Sequence, residues 1–478
     1  MAFSRREFLK ESLSALGFLA LPGGLWAAPA GFKPKKKPNL VFGILSDTHL
    51  MVDWDGKSLY RTMTFDYVRN AFKLFKERGI DAFVHLGDAS HRGCVREWEF
   101  HKELFEKLFG KTGGPEKIIV VGNHELFGNA PHCRGVYRDP KVWVENAICA
   151  DVKRHYERIW GEPYSEFFHR EVNGCHFFGR HWIVEEEEYK GTREQPFADY
   201  ILSNAEDCSL QGSKPFFILS HRRHHFRFCN ALRDFHNAVA FMGHWHQSNA
   251  DWKSIYCDRD TFGGFFPHIE IGACRFDGGN GLNPPEEIKL PEDSSSFKGN
   301  NLPSRQAMIV NVYDDMVVFE RHEVGEGGKL GPDWVMPLNW GAANGERRTA
   351  KHPFLTAELK KIEGRPEFGK KAKLVVSLGR IDKIPSLCIS IPMADGNPDV
   401  RPYAYNVVVV GDDPKVKFFK SEYFSGVNSG IGREPDHGIT RVMVPLAELP
   451  ASKKLTIAVR PVSSLGNKGK AIGATWKV

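Results

Sequence analysis

The chain has 478 residues, 41% hydrophobic and 26% charged. This is an ordinary globular composition with apolar material for more than one core, so two or three domains are expected. Lys and Arg outnumber Asp and Glu by 65 to 59, a net charge of +6, which is too thin an excess to argue for nucleic acid, and no aromatic-basic stripe accompanies it. The nine cysteines, at positions 94, 133, 149, 175, 208, 229, 257, 274 and 388, form no Cys-x-x-Cys pair. That excludes a zinc finger and a thioredoxin-type motif and leaves most of them as small buried hydrophobes.

At the N-terminus, Ser4-Arg5-Arg6-Glu7-Phe8-Leu9-Lys10 precedes a modestly apolar run from Leu13 to Trp26, and Ala28-Pro29-Ala30 offers a small-x-small cleavage site. The segment resembles a bacterial twin-arginine export signal. The resemblance implies that residues 1–30 address the folded, metal-loaded protein to the twin-arginine translocase, and so to the periplasm or the exterior. Gly17, Pro22, Gly23 and Gly24 interrupt the run, which is shorter than the roughly 20 apolar residues of a spanning helix. No stable membrane span is expected here or elsewhere.

Beyond the Pro-punctuated spacer Lys33–Pro38, Leu40–Leu45 reads as a strand buried on both faces and ends at Ser46-Asp47-Thr48-His49. Phe65, Val68, Phe72 and Phe75 fall at helical spacing before Gly79, a natural residue to close a helix. Strand Ile80–Leu86 then runs into Gly87-Asp88, and Trp98, Leu104, Phe105 and Leu108 mark a second helix closed by Gly110. Ile118–Val121 is a strand opening onto Gly122-Asn123-His124-Glu125. Strand-loop-helix alternation of this kind predicts parallel strands with crossover helices.

Leu126–Glu171 reads as a long polar and aromatic insertion, followed by strands at Cys175–Val184, Phe216–Leu219 and Ala238–Met242. The last two lead into Ser220-His221 and Gly243-His244-Trp245-His246. Each polar motif thus sits just past the C-terminal end of an apolar strand, where open α/β sheets build their sites. Phe276–Arg305 reads as a long loop, Met308–Val312 with Met316–Glu320 as a closing hairpin, and Gly325–Gly345 as a Gly-rich link between domains. From Phe354 the texture changes to short alternating strands, at Leu374–Leu378, Leu387–Ile391, Ala404–Val410 and Leu455–Val459, the pattern of an all-β sandwich.

A two-metal hydrolase needs carboxylate, imidazole and amide ligands, one group facing both ions, and an open position for water and a phosphoryl oxygen. Asp47 and His49 stand two apart at one strand end, Asp88 at the next is the natural bridge, Asn123 offers a carbonyl oxygen, and His221, His244 and His246 bring imidazoles. Taken singly, a Gly-Asp is usually a turn and an Asn before a His often a cap. In series, Asp-x-His, Gly-Asp, Gly-Asn-His-Glu, His and Gly-His-x-His resemble the calcineurin-like metallophosphoesterase superfamily over roughly Asn39–Val324.

Residues 325–353 read as a linker, and 354–478 as a small all-β sandwich that resembles a fibronectin type III domain in its strand spacing and in turn-rich breaks such as Ser463-Ser464-Leu465-Gly466-Asn467. The metallophosphoesterase resemblance implies a four-layer αββα sandwich over residues 39–324. It also implies two divalent or mixed-valence transition-metal ions, Mn, Fe or Zn. Asp47, His49, Asp88 and His246 would hold one, and Asp88, Asn123, His221 and His244 the other. His124 would bind no metal but would hydrogen-bond the phosphoryl or leaving-group oxygen while a metal-bridging hydroxide attacks phosphorus. The expected substrate class is a small or lipid-linked phosphomonoester or diester. The alternatives are a nuclease-type phosphodiesterase and a surface or glycan-binding protein with a vestigial phosphoesterase domain.

Gly87-Asp88 lacks the Asp-x-x-Tyr spacing of purple acid phosphatases, so no charge-transfer iron site is expected. Gly87-Asp88-Ala89-Ser90-His91-Arg92-Gly93 resembles the Gly-Asp-x-x-Asp-Arg-Gly of Ser/Thr protein phosphatases, except that His91 stands where those have the Asp that orients the catalytic His. What orients His124 is therefore open at this point. Arg92 is a candidate phosphate clamp, and Arg222, within the basic run after His221, a candidate cleft residue. Glu185–Glu188 reads as an exposed acidic face.

Overall fold

The structure, a computed structural model, describes residues 26–27, 36–126, 139–183, 194–246, 249–278, 301–338, 364–424 and 439–477, with short breaks inside these spans. In chain order the first unit comprises β1 (Leu40–Leu45), α1 (Met63–Arg78), β2 (Ala82–His85), α2 (Val95–Phe109), β3 (Glu116–Ile119), α3 (Asn123–Leu126), α4 (Pro140–Asn146) and α5 (Val152–Trp160). It continues with β4 (Phe167–Val172), β5 (Cys175–Arg180), α6 (Glu194–Ser203), β6 (Phe216–Ser220), α7 (Phe226–Ala231), β7 (Ala238–Met242) and β8 (His268–Glu270). It closes with β9 (Gln306–Val312), β10 (Met316–Glu323) and β11 (Trp334–Pro337).

Two mixed sheets result. The first has the order β11-β10-β9-β1-β2-β3, with Trp26–Ala27 paired to the outer edge of β11. Its strands β1 to β3 run parallel, and β9 to β11 are antiparallel. The second has the order β4-β5-β6-β7-β8, with Ile255–Tyr256 beyond β8. Here β5 to β8 are parallel and β4 forms an antiparallel hairpin with β5.

The strands read as near-continuous apolar runs because both faces are covered. Between the sheets, Phe42, Val84, Val120, Val310 and Phe319 meet Phe177, Phe217, Val239, Phe241 and Ile269. At the centre the Phe42 ring lies edge-on to Phe177, Phe217 and Phe241, with centroids 5.2, 4.8 and 6.1 Å away. On the outside of the first sheet, α1, α2 and α5 place Val68, Phe72, Phe75, Trp98, Phe105 and Tyr156 over Leu45, Phe83, Ile119 and Ile309. On the second, α6 and α7 place Phe197, Ile201 and Phe228 over Phe178, Phe216 and Ile218. This is the expected αββα stack, and it aims the C-terminal ends of β1, β2, β3, β6 and β7 at one rim.

Several stretches differ from the sequence reading. The insertion after Leu126 contains α4, α5 and the strand β4, which pairs in full register with β5. β5 stops at Arg180 and not at Val184. The Gly-rich segment expected to begin the linker at 325 contains β11, whose Val335 and Met336 pair with Val318 and Val317 and are buried. The first unit therefore runs past 324, because three consecutive buried residues, Trp334 to Met336, extend the sheet while the glycines around them mask the pattern. The export segment apart from Trp26–Ala27, the run Glu185–Glu188, most of the loop Phe276–Arg305 and the link from 339 lie outside the described residues. Among the described residues no helix is long and apolar enough to cross a membrane, and no disulfide joins two of the seven described cysteines.

The C-terminal part is all-β: β12 (Val375–Ile381), β13 (Ile384–Pro392), β14 (Pro402–Val410), β15 (Phe418–Phe424), β16 (Ile439–Pro445), β17 (Lys454–Ser463) and β18 (Ile472–Lys477). They form antiparallel sheets of order β12-β13-β16 and β15-β14-β17-β18. Alternate residues Leu387, Ile389 and Ile391 of one sheet share a core with Val407, Val409, Ile457 and Val459 of the other, the period of two that strands impose.

Phe42 is fully buried and surrounded by three other rings. Phe42→Ala is expected to destabilise the first unit by about 3–5 kcal/mol. Urea unfolding followed by tryptophan fluorescence checks this, and a midpoint unchanged from the parent would show that the sheets do not pack through this ring.

Candidate metal centre

The site is built from loops that continue the strands. After β1 and β2 the two chains stay paired: the Asp47 N–H donates to the Gly87 carbonyl (3.1 Å), His49 to Asp88 (2.8 Å) and Leu50 to Ala89 (3.0 Å). After β6 and β7, Gly243 donates to the His221 carbonyl (3.2 Å). The backbone then turns sharply. Asp47, His49, Asp88, His244 and His246 all have positive φ, between 45° and 75°, a conformation that costs an L-residue of order 1–3 kcal/mol and clusters at functional sites. A glycine precedes three of the site residues because the space is taken: a methyl group at Gly122 would overlap the Asp88 carboxylate, one at Gly243 would overlap Ser46, and one at Gly87 would stand 2.6 Å from His221 Nδ1.

Two groups of potential ligands face each other, Asp47 with His49 and His246, and Asp88 with His221 and His244, the donor atoms within each lying within 4.8 Å of one another. In the first, His246 Nε2 is 3.0 Å from Asp47 Oδ1 and 3.3 Å from His49 Nε2. In the second, His221 Nε2 is 3.2 Å from Asp88 Oδ2. The Asn123 carbonyl oxygen lies 2.9 Å from both His221 Nε2 and His244 Nδ1. Asp88 Oδ2 also stands 3.8 Å from His49 Nε2, so one oxygen looks into both groups. His221 Nδ1 is 2.7 Å from the Leu86 carbonyl, which fixes the proton on Nδ1 and leaves Nε2 for the centre. Carboxylates, imidazoles and an amide oxygen form the donor set that suits Zn, Mn or Fe, so the residues fit divalent metal ions.

The electrostatics fit a cation as well. Burial pushes the His221 imidazole down, but the Asp88 carboxylate overrides it and raises the group to about 10. Asp88 and Asp47, although buried, are held below the usual carboxylate range, Asp88 by His221 and His124 and Asp47 by His246 and His221. Burial, followed by the neighbouring His221, lowers His244 to about 4. The centre thus keeps anionic carboxylates buried with a positively charged imidazole beside them, an arrangement that suits a cation.

His124 stands beside both groups. Its ring lies 4.5 Å from that of His49, its Nε2 is 4.0 Å from Asp88 Oδ2, and its backbone N–H donates to Asp88 Oδ1 at 2.8 Å. Its Nδ1 is 2.9 Å from the His91 carbonyl, and the two rings stack at 18°. The backbone of His91 therefore orients His124 where the protein phosphatases use a carboxylate, and Nε2 is left facing the centre.

Sequence reasoning missed two carboxylates that fix these loops. Buried Glu125 accepts the N–H groups of Gly122 (2.7 Å), Ser90 (2.8 Å) and Asp88 (3.0 Å), and burial followed by Asp88 raises it to about 7. Buried Glu97 accepts the N–H groups of Val52, Arg92 and Cys94. Its position three residues after the α2 cap was the available signal. Trp182 was missed too: its ring lies 5.3 Å from His244 and 5.9 Å from His221. The Arg222 guanidinium sits 5.6 Å from the Trp182 ring centroid, next to the centre. Arg92 Nη1 donates to the Val52 carbonyl at 2.8 Å, so this guanidinium is spent at least partly on the loop backbone.

Residues 40–248 match the family described as Calcineurin-like phosphoesterase, and this part of the chain is a calcineurin-like metallophosphoesterase domain. Among solved structures the chain is similar to a dimetal phosphatase from Danio rerio, at 14% identity over 63% of this chain and 99% of that one, with a TM-score of 0.35. It is also similar to a purple acid phosphatase from yellow lupin seeds (12%, 64% and 55%, TM-score 0.41) and to a 5′-nucleotidase precursor from Thermus thermophilus (10%, 66% and 56%, TM-score 0.29). No curated protein matches the chain.

Because a methyl group at Gly122 would displace Asp88, Gly122→Ala is expected to weaken metal binding by about 10–100-fold. Metal analysis after dialysis against a chelator series measures this, and retention equal to the parent would show that the close approach is dispensable.

Proposed function

We propose that the protein is a two-metal hydrolase of small or lipid-linked phosphomonoesters or phosphodiesters that acts after export by the twin-arginine route. The observation that carries it is the convergence of the Asp47/His49/His246 and Asp88/His221/His244 groups at one rim, with Asp88 Oδ2 facing both. Bound divalent ions supply charge neutralisation at the phosphoryl oxygens and make water acidic enough to act at neutral pH. Asp47, His49 and His246 would hold one ion and Asn123, His221 and His244 the other, with Asp88 facing both groups. His124, whose Nδ1–H donates to the His91 carbonyl, presents Nε2 to the phosphoryl or leaving-group oxygen; as the imidazolium it would give its Nε2 proton to the departing oxygen and be left neutral, with the proton on Nδ1. Arg222 and Trp182 line the approach.

The thin net charge argues against a nuclease. Strand orders of one-two-five and four-three-six-seven in the C-terminal sheets support a fibronectin type III-like unit serving as a spacer or docking module.

The reading is tested on metal-free protein given Mn, Zn, Fe or Co in turn, with p-nitrophenyl phosphate, its bis-ester and single-stranded DNA as substrates. Hydrolysis of at least one small ester, and none of DNA, is expected. Inactivity on every ester with every metal rules the proposal out. In His124→Ala, metal content should hold while turnover drops by about 10²–10⁴-fold. The drop should be smaller for p-nitrophenyl esters, whose leaving group needs little protonation, than for alkyl esters. Equal losses on both would make His124 a general phosphate binder.

Replacing Arg5 and Arg6 by Lys should hold folded protein in the cytoplasm. Fractionation that recovers undiminished protein from the periplasm would remove the export assignment.

A further inference from the structure

On the far side of the second sheet, three side chains that the phosphoesterase centre does not use come together. His169 lies on β4, the edge strand of that sheet, His176 on β5, and Cys208 in the turn that follows α6. In the β4–β5 hairpin His169 pairs with Phe178, and His176 pairs with Glu171. The two histidines are thus diagonal neighbours whose side chains leave the same face, within reach of each other. His169 Nε2 is 3.0 Å from His176 Nδ1, and Cys208 Sγ is 3.8 Å from His169 Nε2. All three donor atoms lie within 4.8 Å of one another. Stacking of the His169 ring on Phe178, with centroids 4.6 Å apart and an interplanar angle of 15°, fixes its plane. The turn is fixed by its own backbone, where Cys208 donates to the Asn204 carbonyl and Leu210 to the Ala205 carbonyl, each at 3.0 Å.

We propose that His169, His176 and Cys208 form a second metal site, separate from the phosphoesterase centre, that binds one borderline or soft cation of the Zn²⁺ or Cu⁺ class. The donor chemistry selects the class: two imidazoles and a thiolate favour such ions, whereas Mg²⁺, Ca²⁺ and Mn²⁺ prefer oxygen. The dimensions fit. In a tetrahedral Zn²⁺ site the bond lengths put two nitrogens about 3.3 Å apart and a nitrogen and a sulfur about 3.6 Å apart. The observed separations of 3.0 and 3.8 Å need only a few tenths of an ångström of side-chain adjustment.

All three residues are half-buried, so the cluster is open to solvent on one side. That admits the ion and leaves a position for a fourth ligand from outside, as in sites with three protein ligands. Glu171, directly across from His176 and exposed, adds negative charge to the same face.

The protonation states follow. Burial lowers both imidazoles, His169 further through its neighbour His176, so each is neutral at pH 7 and ready to ligate. Burial, Asp207 and Glu171 raise the Cys208 thiol, so it is protonated until the ion arrives. Loading converts the thiol and the free cation to a metal thiolate and releases one proton to solvent. The bound ion would tie the edge hairpin to the turn after α6.

The test uses the full chain loaded with Co²⁺ as a spectroscopic probe. The phosphoesterase centre contains no thiolate, so it contributes no sulfur-to-cobalt charge-transfer band. The expected result is such a band in the near ultraviolet that saturates at one ion per chain, is displaced by Zn²⁺, and is lost in Cys208→Ser. Phosphoesterase activity and circular dichroism of that variant should stay unchanged, and His176→Gln should weaken Co²⁺ binding at this site. Absence of the band in the parent overturns the proposal, as does its persistence in Cys208→Ser, which would place the thiolate at another cysteine. Neither outcome depends on turnover, so the metal site and the hydrolase assignment fail or stand separately.

Discussion

Everything at the rim of the first unit depends on holding the Asp88 carboxylate, with Asp47 beside it, buried. An isolated buried carboxylate is strongly disfavoured, and breaking a buried ion pair typically costs about 3–5 kcal/mol, a large part of the roughly 5–15 kcal/mol that holds a domain folded. Asp88 is tolerated because His221 Nε2 stands 3.2 Å away, and the His124 N–H donates to its other oxygen at 2.8 Å. The same negative charge, facing both histidine groups, is what gives the pocket affinity for cations. Stability and metal binding therefore draw on one interaction, and the pocket is at rest only when positive charge occupies it.

The surrounding structure bears the strain of this arrangement. Five site residues sit in the left-handed region, which the chain adopts only where the rest of the fold overdetermines it. Glu125 and Glu97 supply that constraint: each accepts several backbone N–H groups from the loops after β1, β2 and β3, tying the ends of three strands to the first turns of α2 and α3. These carboxylates do not contact the candidate ions. They set where the ligands stand, and the rigid αββα stack behind them, closed by the ring cluster around Phe42, keeps the two sheet edges in register.

The second sheet has a different use on its other side. Its helix-covered face ends at the β4–β5 hairpin, where His169 and His176 meet Cys208. The second sheet thus carries imidazoles past its strand ends, facing the carboxylates and amide of the first sheet, and a nitrogen and sulfur set on its outer face, two donor sets suited to different ions. The C-terminal sheets, packed around Tyr405, Ile389 and Ile457, complete the chain with a separate core.

The sequence by itself determined the class of fold, the presence of parallel strands joined by crossover helices, and the residues at the C-terminal ends of five strands. Apolar periodicity is local, and Asp47, Asp88, Asn123, His221 and His244 each follow immediately on a run that announces itself. It did not determine β4, β8, β11, β15 or β16. These lie among Gly, His or charged residues, and become strands only because a partner edge satisfies their backbone and buries their apolar side. Nor did it determine that His124 is oriented by a backbone carbonyl, since main-chain groups leave no mark in a motif and His91 stood where a carboxylate was sought. The tertiary structure alone decided several meetings of residues from distant parts of the chain: Glu125 with Ser90, Trp182 with Arg222, and Cys208 with a hairpin. Contact across such separations is set by sheet order and packing, and neither is written at any single position.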